Sequence, residues 1–180
     1  MISNRVDCKV LKSECDNEGR KLLIKLNVND QILNINIYAP NGVSERRTFI
    51  ENLSVQSFIA QDHTTILMGD FNTAISKDDR KSGRIDCNSK LFARSIKELD
   101  LFDTWKKHDP SSLEYTWTSS ANKDLQSRID YIFMSTYLLN FVSNYDSFYT
   151  IFRPQGCCCK IKRSHQNKGS WFLEVKCVSA

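Results

Sequence analysis

Two residues with side chains suited to phosphate-ester chemistry, Asp70 and Asn72, follow a short apolar run in the middle of the chain. The run at 64–68 predicts a buried strand, and Gly69 removes a side chain just before the carboxylate. Loops at strand ends often carry catalytic groups, because the sheet behind them is rigid. An ionised Asp can act as a base for water, and an Asn amide can donate to a phosphoryl oxygen. The pattern therefore indicates phosphate-ester hydrolysis, although the same residues also fit an Asx turn after a strand.

A second candidate carboxylate, Asp130, lies in an otherwise apolar run at 128–135 that alternates like a strand. An unpaired ionised Asp in such surroundings is unfavourable, so Asp130 needs a partner or a functional site. Tyr38 ends an earlier alternating run, and its side chain is expected to point away from the apolar face of that run. These positions predict polar groups at the ends of several strands.

The elements that must position these residues alternate between strands and helices. The predicted elements are a hairpin at 20–38 with its turn at Asn29 and Asp30, a helix capped by Ser44 and running to about Gln61, the strand at 64–68, a helix capped by Asn88 and running to Leu99, and strands at 114–119 and 128–135. The predicted inner faces are Phe49, Ile50 and Leu53 in the first helix, and Leu91, Phe92, Ile96 and Leu99 in the second. The charged segment 77–89 is expected to be a solvated loop, and Leu101, Phe102 and Trp105 are expected to close over the core.

Composition limits the class of protein. The 180 residues are 41% hydrophobic and carry a formal charge of +4, which suits one globular domain and permits a polyanionic partner. Seven irregularly spaced cysteines match neither a zinc site nor a disulfide framework, and three of them are adjacent at 157–159. A reducing intracellular location, nuclear or cytoplasmic, is therefore expected. No apolar run approaches membrane-spanning length, so no membrane association is expected.

Four segments in order carry a resemblance to a known family: 36–41 (NIYAPN), 68–72 (MGDFN), 115–118 (YTWT) and 127–132 (SRIDYI). As a set they resemble the endonuclease/exonuclease/phosphatase family, most closely the endonuclease domains of LINE-type (non-LTR) retrotransposon polyproteins. The resemblance implies an α/β fold, a partial four-layer sandwich of two packed mixed β-sheets flanked by helices. It covers residues 14–152, and we expect residues 153–180 to be an irregular, basic, cysteine-containing tail.

The resemblance also implies roles for single residues. Asp70 matches the aspartate that orients or deprotonates the attacking water, and Asn72 matches the amide that holds a phosphoryl oxygen. Tyr38 matches the site tyrosine, and Asp130 matches the aspartate that orients a catalytic histidine. All four are expected to be catalytic and to meet in one polar cleft.

The substrate implied by the resemblance is DNA. Asn41 matches an asparagine that contacts phosphate, and Thr116 matches a threonine near the DNA. The implied cofactor is Mg²⁺ or Mn²⁺, for which Asp70 would be one ligand of an incomplete site.

The sequence departs from the family at both ends. The metal-binding glutamate and the terminal Ser-Asp-His motif have no counterpart here, and Ser164 with His165 is the nearest string. We therefore expect a truncated domain with low or no activity. His63 and His108 are expected to be surface residues. Two alternatives remain open: a small-molecule or lipid phosphoesterase of the same superfamily, and a non-enzymatic remnant that binds nucleic acid.

Overall fold

The computed structural model describes residues 9–28, 30–55, 64–111, 114–139, 142–148, 156–165 and 169–177. The elements in these residues are, in chain order, β1 (Lys9–Cys15), β2 (Lys21–Val28), β3 (Asp30–Tyr38), α1 (Val43–Val55), β4 (Thr64–Asp70), α2 (Ser89–Glu98), β5 (Leu101–Asp103), α3 (Thr104–His108), β6 (Trp117–Thr118), β7 (Gln126–Ser127), β8 (Asp130–Ser135), α4 (Thr136–Leu139), β9 (Val142–Phe148), β10 (Gly156–His165) and β11 (Gly169–Cys177). A short 3₁₀ turn, Lys77–Asp79, lies between β4 and α2.

The main sheet has six strands in the order β1-β2-β3-β4-β8-β5. Its β3 and β4 pair in parallel and its other neighbours pair antiparallel, so the sheet is mixed as predicted. A second sheet, ordered β11-β10-β9, is antiparallel and lies against β4 and β8 of the first. The α/β fold predicted from the sequence is confirmed.

Alternation along the strands divides the main sheet into two buried faces. One face packs on α1 and α2 and contains Ile35, Ile37, Leu67, Tyr131 and Phe133 together with Ile50, Leu53, Phe92 and Ile96 of the helices. The opposite positions of β4 and β8 are also buried, namely Ile66, Met68, Ile132 and Met134. Both faces of the central strands are therefore covered, which explains why their sequences are almost continuously apolar.

Four aromatic rings form the centre of the helix-facing core. The ring of Phe71 lies 4.7 Å from that of Phe92, centroid to centroid, and 5.6 Å from that of Phe133. Tyr131 stacks on Phe133 at 5.2 Å. Because Phe71 lies between Asp70 and Asn72, this cluster anchors the segment that carries the candidate chemistry.

Several predicted boundaries differ from the structure. Helix α1 begins at Val43, because the carbonyl of Gly42 accepts the first helical hydrogen bond from the Arg46 amide at 2.9 Å. Ser44 therefore lies in the first turn and is not the cap, while the predicted end at Gln61 lies outside the described residues. In β5, Leu101 is buried, but Phe102 is 41% exposed because successive side chains of a strand face opposite ways.

The tail expected to be irregular contains regular structure. Strands β10 and β11 form an antiparallel ladder, and β10 also pairs with β9. Backbone groups form such a ladder, and residues 157–165 contain neither proline nor glycine to interrupt it. In β11 the residues Leu173, Val175 and Cys177 also alternate with Glu174 and Lys176, which is a strand pattern. The division of the chain near residue 152 stays a prediction.

None of the helices in the described ranges is long and apolar enough to cross a membrane.

Candidate active site

Strand register brings Tyr38, Asp70 and Asp130 side by side. Asp70 is the pairing partner of Tyr38 in the parallel β3–β4 ladder and of Asp130 in the antiparallel β4–β8 ladder. Because residues at paired positions face the same side of a sheet, the three belong to one face. Asp70 and Asp130 are both buried, at 6% and 2% exposure. The predicted convergence of the two carboxylates at one end of the sheet agrees with this geometry.

The turn after β4 is fixed by hydrogen bonds on both sides of the carboxylate. Asn72 adopts a φ of 50°, a conformation that asparagine tolerates better than most residues, and its amide donates to Asp70 Oδ1 at 2.8 Å. Its side-chain Nδ2 donates to the carbonyl of Ala39 at 2.7 Å, which ties the turn to the end of β3. The Phe71 amide donates to the carbonyl of Ile129 at 2.8 Å. The segment after β4 therefore forms an Asx turn, and the same segment carries the candidate catalytic residues.

Gly69 is needed for the close contact between β3 and β4 at the site. Its φ of +141° is unfavourable for other residues, and a Cβ atom added there would lie 1.9 Å from the carbonyl oxygen of Ile37. A side chain at this position would push β4 away from β3. The glycine thus allows Asp70 to sit beside Tyr38.

Thr116 contacts the backbone next to Asp130. Its Oγ1 accepts hydrogen bonds from the amides of Ile129 at 3.0 Å and Asp130 at 3.1 Å, and its own amide donates to the carbonyl of Ser127. The side chain is buried at 7% exposure. Within the chain, Thr116 therefore positions Asp130. In place of the predicted strand at 114–119 the structure has the two-residue strand β6, because the ladder with β7 extends only over Trp117–Ser127 and Thr118–Gln126.

A pocket of about 280 Å³ adjoins Asn72 and Asn41. It is lined by Asn41, Arg46, Asn72, Thr73, Ala74, Arg80, Asp86, Trp117, Ser127 and Ile129. Trp117 is 43% exposed, whereas Arg46 and Thr73 are buried. The pocket therefore combines two guanidinium groups, amides and one accessible aromatic ring next to the candidate site.

A buried charge network lies behind the site. Arg128 Nη2 is 2.8 Å from Asp79 Oδ1 and 2.6 Å from Asp103 Oδ2, and its guanidinium lies 4.5 Å from the centroid of the Tyr131 ring. Burial lowers the pKa of Arg128, but attraction to Asp103 and Asp79 outweighs burial and raises that pKa above its ordinary value. Arg128 stays charged, and it fixes the segment that leads into Asp130.

Tyr131 shares this network through its hydroxyl group. The hydroxyl donates to the carbonyl of Arg128 at 2.8 Å and accepts from the amide of Ile75 at 3.0 Å. Burial, together with the negative charge of Asp79, raises the pKa of Tyr131 well above its ordinary value. The tyrosine is therefore a neutral structural link between β8 and the segment after Asn72.

The oxygen donors at the site can be compared with those that Mg²⁺ requires. In the described part of the chain, no group of three or more His, Cys, Asp or Glu side chains could hold a metal ion. The register does bring two carboxylates together, Asp70 and Asp130. Magnesium sites often use one or two carboxylates, with waters and substrate phosphates completing the shell. The residues present therefore fit a metal ion completed by water and substrate.

Sequence reasoning missed several residues around the site. The segment 77–89 was expected to be solvated, yet Asp79 is buried, and Asp86 accepts a hydrogen bond from buried Arg46. Asn88 lies at the predicted start of α2, but its side chain donates to the carbonyl of Val43 and does not cap the helix. The only signal in the sequence was the crowding of opposite charges in this segment, which does not show which of them are buried.

The histidines add little to the described site. His108 is exposed at the end of α3, as expected. His63 lies outside the described residues, and His165 is placed only as the last residue of β10, paired with Gly169.

A sequence profile of the Endonuclease/Exonuclease/phosphatase family matches residues 9–146 of the chain. Among curated proteins, the chain is 28% identical over 144 residues to the "Transposon TX1 uncharacterized 149 kDa protein" of Xenopus laevis. The match covers 78% of this chain and 11% of the Xenopus protein, so the chain spans about a tenth of the length of that relative.

Solved structures with the same fold include nucleic-acid enzymes. An AP endonuclease from Archaeoglobus fulgidus superposes with a TM-score of 0.66 and 20% identity, over 97% of this chain and 69% of that one. The 3' phosphatase NExo from Neisseria, bound to a product DNA hairpin, superposes with a TM-score of 0.65 and 16% identity, over 94% of this chain and 69% of that one. The AP endonuclease LMAP from Leishmania major superposes with a TM-score of 0.64 and 17% identity, over 96% of this chain and 62% of that one. At these identities the likeness shows the fold.

Proposed function

The chain belongs to the endonuclease/exonuclease/phosphatase family, and we propose that it is a divalent-metal-dependent DNA phosphodiesterase domain of a retrotransposon-type protein. The observation that carries this proposal is the pairing of Asp70 with Asp130 across β4 and β8, next to Asn72. The relation to the Xenopus transposon protein supports the retrotransposon context. The DNA bound to the fold relative from Neisseria supports DNA as the substrate.

Asp70 and Asn72 have complementary roles in the proposed reaction. Asp70 Oδ1 accepts a hydrogen bond from the backbone amide of Asn72. The carboxylate can also orient a water molecule and accept its proton. Asn72 Nδ2 uses one hydrogen on Ala39 and carries a second hydrogen for a phosphoryl oxygen. Because both residues are locked by the turn, little reorganisation is needed when charge develops on the phosphate.

Asp130 and Tyr38 complete the proposed catalytic group. By the family resemblance, Asp130 matches the aspartate that orients a catalytic histidine, and Thr116 holds its backbone in place. Tyr38 is half-buried beside Asp70 and offers a hydroxyl that can donate to the substrate.

The proposed cofactor is Mg²⁺ or Mn²⁺, held by Asp70 with Asp130 as the neighbouring carboxylate. When bound, such an ion polarises a phosphoryl oxygen and lowers the pKa of a coordinated water. The chain's own contribution would be the carboxylate oxygens of Asp70 and Asp130, which would hold the ion while waters and a substrate phosphate complete its shell.

The pocket next to Asn72 favours a polynucleotide over a small phosphoester. Arg80 and the exposed Trp117 both line it, and a cation beside an accessible aromatic ring suits the phosphates and bases of a nucleic-acid strand. Sites for small molecules usually enclose most of their ligand, so an exposed tryptophan fits that alternative less well.

A plasmid-nicking assay tests the proposal. The purified chain is incubated with supercoiled plasmid, plain or containing abasic sites, in Mg²⁺, Mn²⁺ or EDTA. We expect at most weak metal-dependent nicking, and Asp70→Ala should reduce it to background, because a positioned general base typically contributes about 100-fold or more. Asp78→Ala is the matched control, since Asp78 is an exposed carboxylate in the neighbouring 3₁₀ turn.

The opposite result is equally informative. If wild-type chain and Asp70→Ala both stay at background while salt-sensitive DNA binding persists, hydrolysis is excluded. The binding-remnant alternative then stands, together with the expectation of little or no activity.

A further inference from the structure

Arg46 occupies an unfavourable position for a cation. It lies in the first turn of α1, where the helix dipole disfavours positive charge, and its side chain is buried at 4% exposure. Removing a guanidinium from water is unfavourable unless several partners compensate it. The contacts of Arg46 should therefore show what this placement achieves.

Those contacts lead to the segment between β3 and α1. Arg46 Nη1 donates to the carbonyls of Pro40 at 3.1 Å and Asn41 at 2.7 Å. Asn72 Nδ2 donates to the carbonyl of the preceding residue, Ala39. Side chains thus hold three consecutive carbonyls, at 39, 40 and 41. Pro40 cannot donate to a strand ladder, so side-chain donors take over where the ladder of β3 stops.

Asp86 completes the arrangement from the other side. Its Oδ2 lies 2.6 Å from Arg46 Nη2, and its Oδ1 accepts from the Asn88 amide at 2.7 Å. The Asn88 side chain donates to the carbonyl of Val43 at 2.9 Å. The guanidinium is therefore held between the segment 39–41 and the start of α2.

We propose that Arg46, with Asp86 as its counter-ion, is a positioning residue that fixes the backbone of segment 39–41 and so presents Asn41 to the substrate. Asn41 itself is exposed and lines the pocket beside Asn72. The link from Arg46 to substrate through Asn41 rests on the proposed function. The clamp on the segment rests on the hydrogen bonds alone.

The fork of an arginine is needed for this clamp. One nitrogen, Nη1, serves two carbonyls while Nη2 serves Asp86, and the planar group sets the distance between them. A lysine keeps the charge but has a single nitrogen on a flexible stem. Arg46→Lys should therefore keep a positive charge beside Asp86 but lose the paired hydrogen bonds to the carbonyls of Pro40 and Asn41. The variant thus separates the effect of the hydrogen-bond geometry from the effect of the charge.

The test uses the full chain and three variants: Arg46→Lys, Arg46→Met and the control Arg47→Met. Arg47 is the next residue of α1, is exposed and forms an ion pair with Glu51 in the same helix, so its loss removes the same charge without removing a contact to the segment 39–41 among the described residues. Hydrogen exchange followed by mass spectrometry reports on residues 39–43. Plasmid nicking gives kcat and KM, with and without Asn41→Ala in each background.

We expect exchange of the Ala39 amide, which donates to the carbonyl of Asp70, to become roughly tenfold faster in both Arg46 variants, because the neighbouring carbonyls lose their charged donor and the segment opens more often. Arg47→Met should leave it unchanged. We expect kcat/KM to fall by about 10-fold to 100-fold, the loss typical of a misplaced contact. Asn41→Ala should then add little in the Arg46→Lys background.

Three results would overturn the proposal. Unchanged exchange in 39–43 removes the clamp. Equal fold-effects of Asn41→Ala in the wild-type and Arg46→Lys backgrounds remove the link to Asn41. Faster exchange throughout the chain, with kcat per folded molecule unchanged, would show a purely structural role. If Arg46→Met does not fold, Arg46→Lys decides these outcomes.

Failure of the proposed function looks different. In that case the wild-type chain does not nick DNA in any metal, while exchange in 39–43 still responds to Arg46→Lys and not to Arg47→Met. That pattern would retain the clamp and reject the phosphodiesterase.

Discussion

Asp70 and Asp130 are held by backbone contacts from residues distant in sequence. Asp70 was identifiable from its own neighbourhood, because a carboxylate after an apolar run and a glycine is a local pattern. Thr116 was assigned to DNA by resemblance, but its hydroxyl is used by the amides of Ile129 and Asp130. No local pattern reveals a hydrogen bond between residues 14 positions apart, which is why the sequence alone did not predict this role.

Thr116→Val should destabilise the protein and lower any activity. Valine has the same shape but no acceptor, so the amides of Ile129 and Asp130 lose their partner inside the protein. An unsatisfied buried donor typically costs about 1–3 kcal/mol. Urea unfolding measures the loss, and Thr116→Ser, which keeps Oγ, is the control. Equal free energies of unfolding for the two variants would contradict the role.

Tyr131 should make stability fall as the pH rises above about 10, the ordinary tyrosine pKa. In the unfolded chain Tyr131 ionises near that pH, whereas burial and Asp79 keep its pKa higher in the folded state. The native state then retains a proton that the unfolded state has released. The free energy of unfolding should decline by up to about 1.4 kcal/mol per pH unit.

Urea unfolding between about pH 9 and about pH 11 measures this slope. Tyr131→Phe should reduce it, and Tyr137→Phe, which alters an exposed tyrosine, should keep it. If Tyr131→Phe and wild type share the same slope, the titrating group lies elsewhere.

At the scale of strands and helices, local pattern was a good guide to which elements exist and a poor guide to how they pair. The hairpin β2–β3, the strand β4 and the apolar stripes of α1 and α2 followed from periodicity. The pairing of β4 with β8 brings together residues 60 positions apart, such as Asp70 and Asp130. No local pattern in the sequence indicates this pairing, and only the folded structure shows it. Strand β11 was missed although Leu173, Val175 and Cys177 alternate with Glu174 and Lys176, because the cysteine run and the glycines before it were given more weight.

Gly69→Ala should disrupt the joint between β3 and β4. The added Cβ would lie 1.9 Å from the carbonyl of Ile37, in addition to the strain of a positive φ. Gly19→Ala is the matched control, since Gly19 also has a positive φ, of +67°, but nothing lies within 4 Å of its added Cβ. Strain alone costs about 1–2 kcal/mol, so Gly69→Ala should lose clearly more stability than Gly19→Ala.

Thermal and urea unfolding of the two glycine variants provide the comparison. Similar losses at both positions would mean that β4 can shift away from β3 without penalty.

At the scale of the whole molecule, the outer strand β1 leaves one edge of the main sheet uncovered by another strand of that sheet. It is exposed along its whole length and begins the order of the main sheet. Val10 is 53% exposed and Leu11 43% exposed. The β1–β2 ladder shifts register between Val10 and Lys12, and an irregularity of this kind makes an edge strand a poorer template for pairing with another chain.

Leu11→Lys should reduce self-association of the isolated chain. Exposed apolar side chains on an edge strand favour contacts between copies, and a charge opposes them. Size-exclusion chromatography and binding of a hydrophobic dye measure the effect, with Leu22→Lys as a second site on the neighbouring strand. A wild-type chain that stays monodisperse at high concentration, with no change in the variants, would contradict this expectation.

The strand register that aligns Tyr38, Asp70 and Asp130 also determines which insertions in the gene would preserve the site. A codon gained just after Asp130 would leave the apolar remainder of β8 able to pair, but it would turn the carboxylate toward the aromatic rings. Two codons would restore its direction and displace it by about 7 Å. Chemistry at this position is therefore more sensitive to length changes than folding is, so descendants of an active gene can keep the architecture long after losing the reaction.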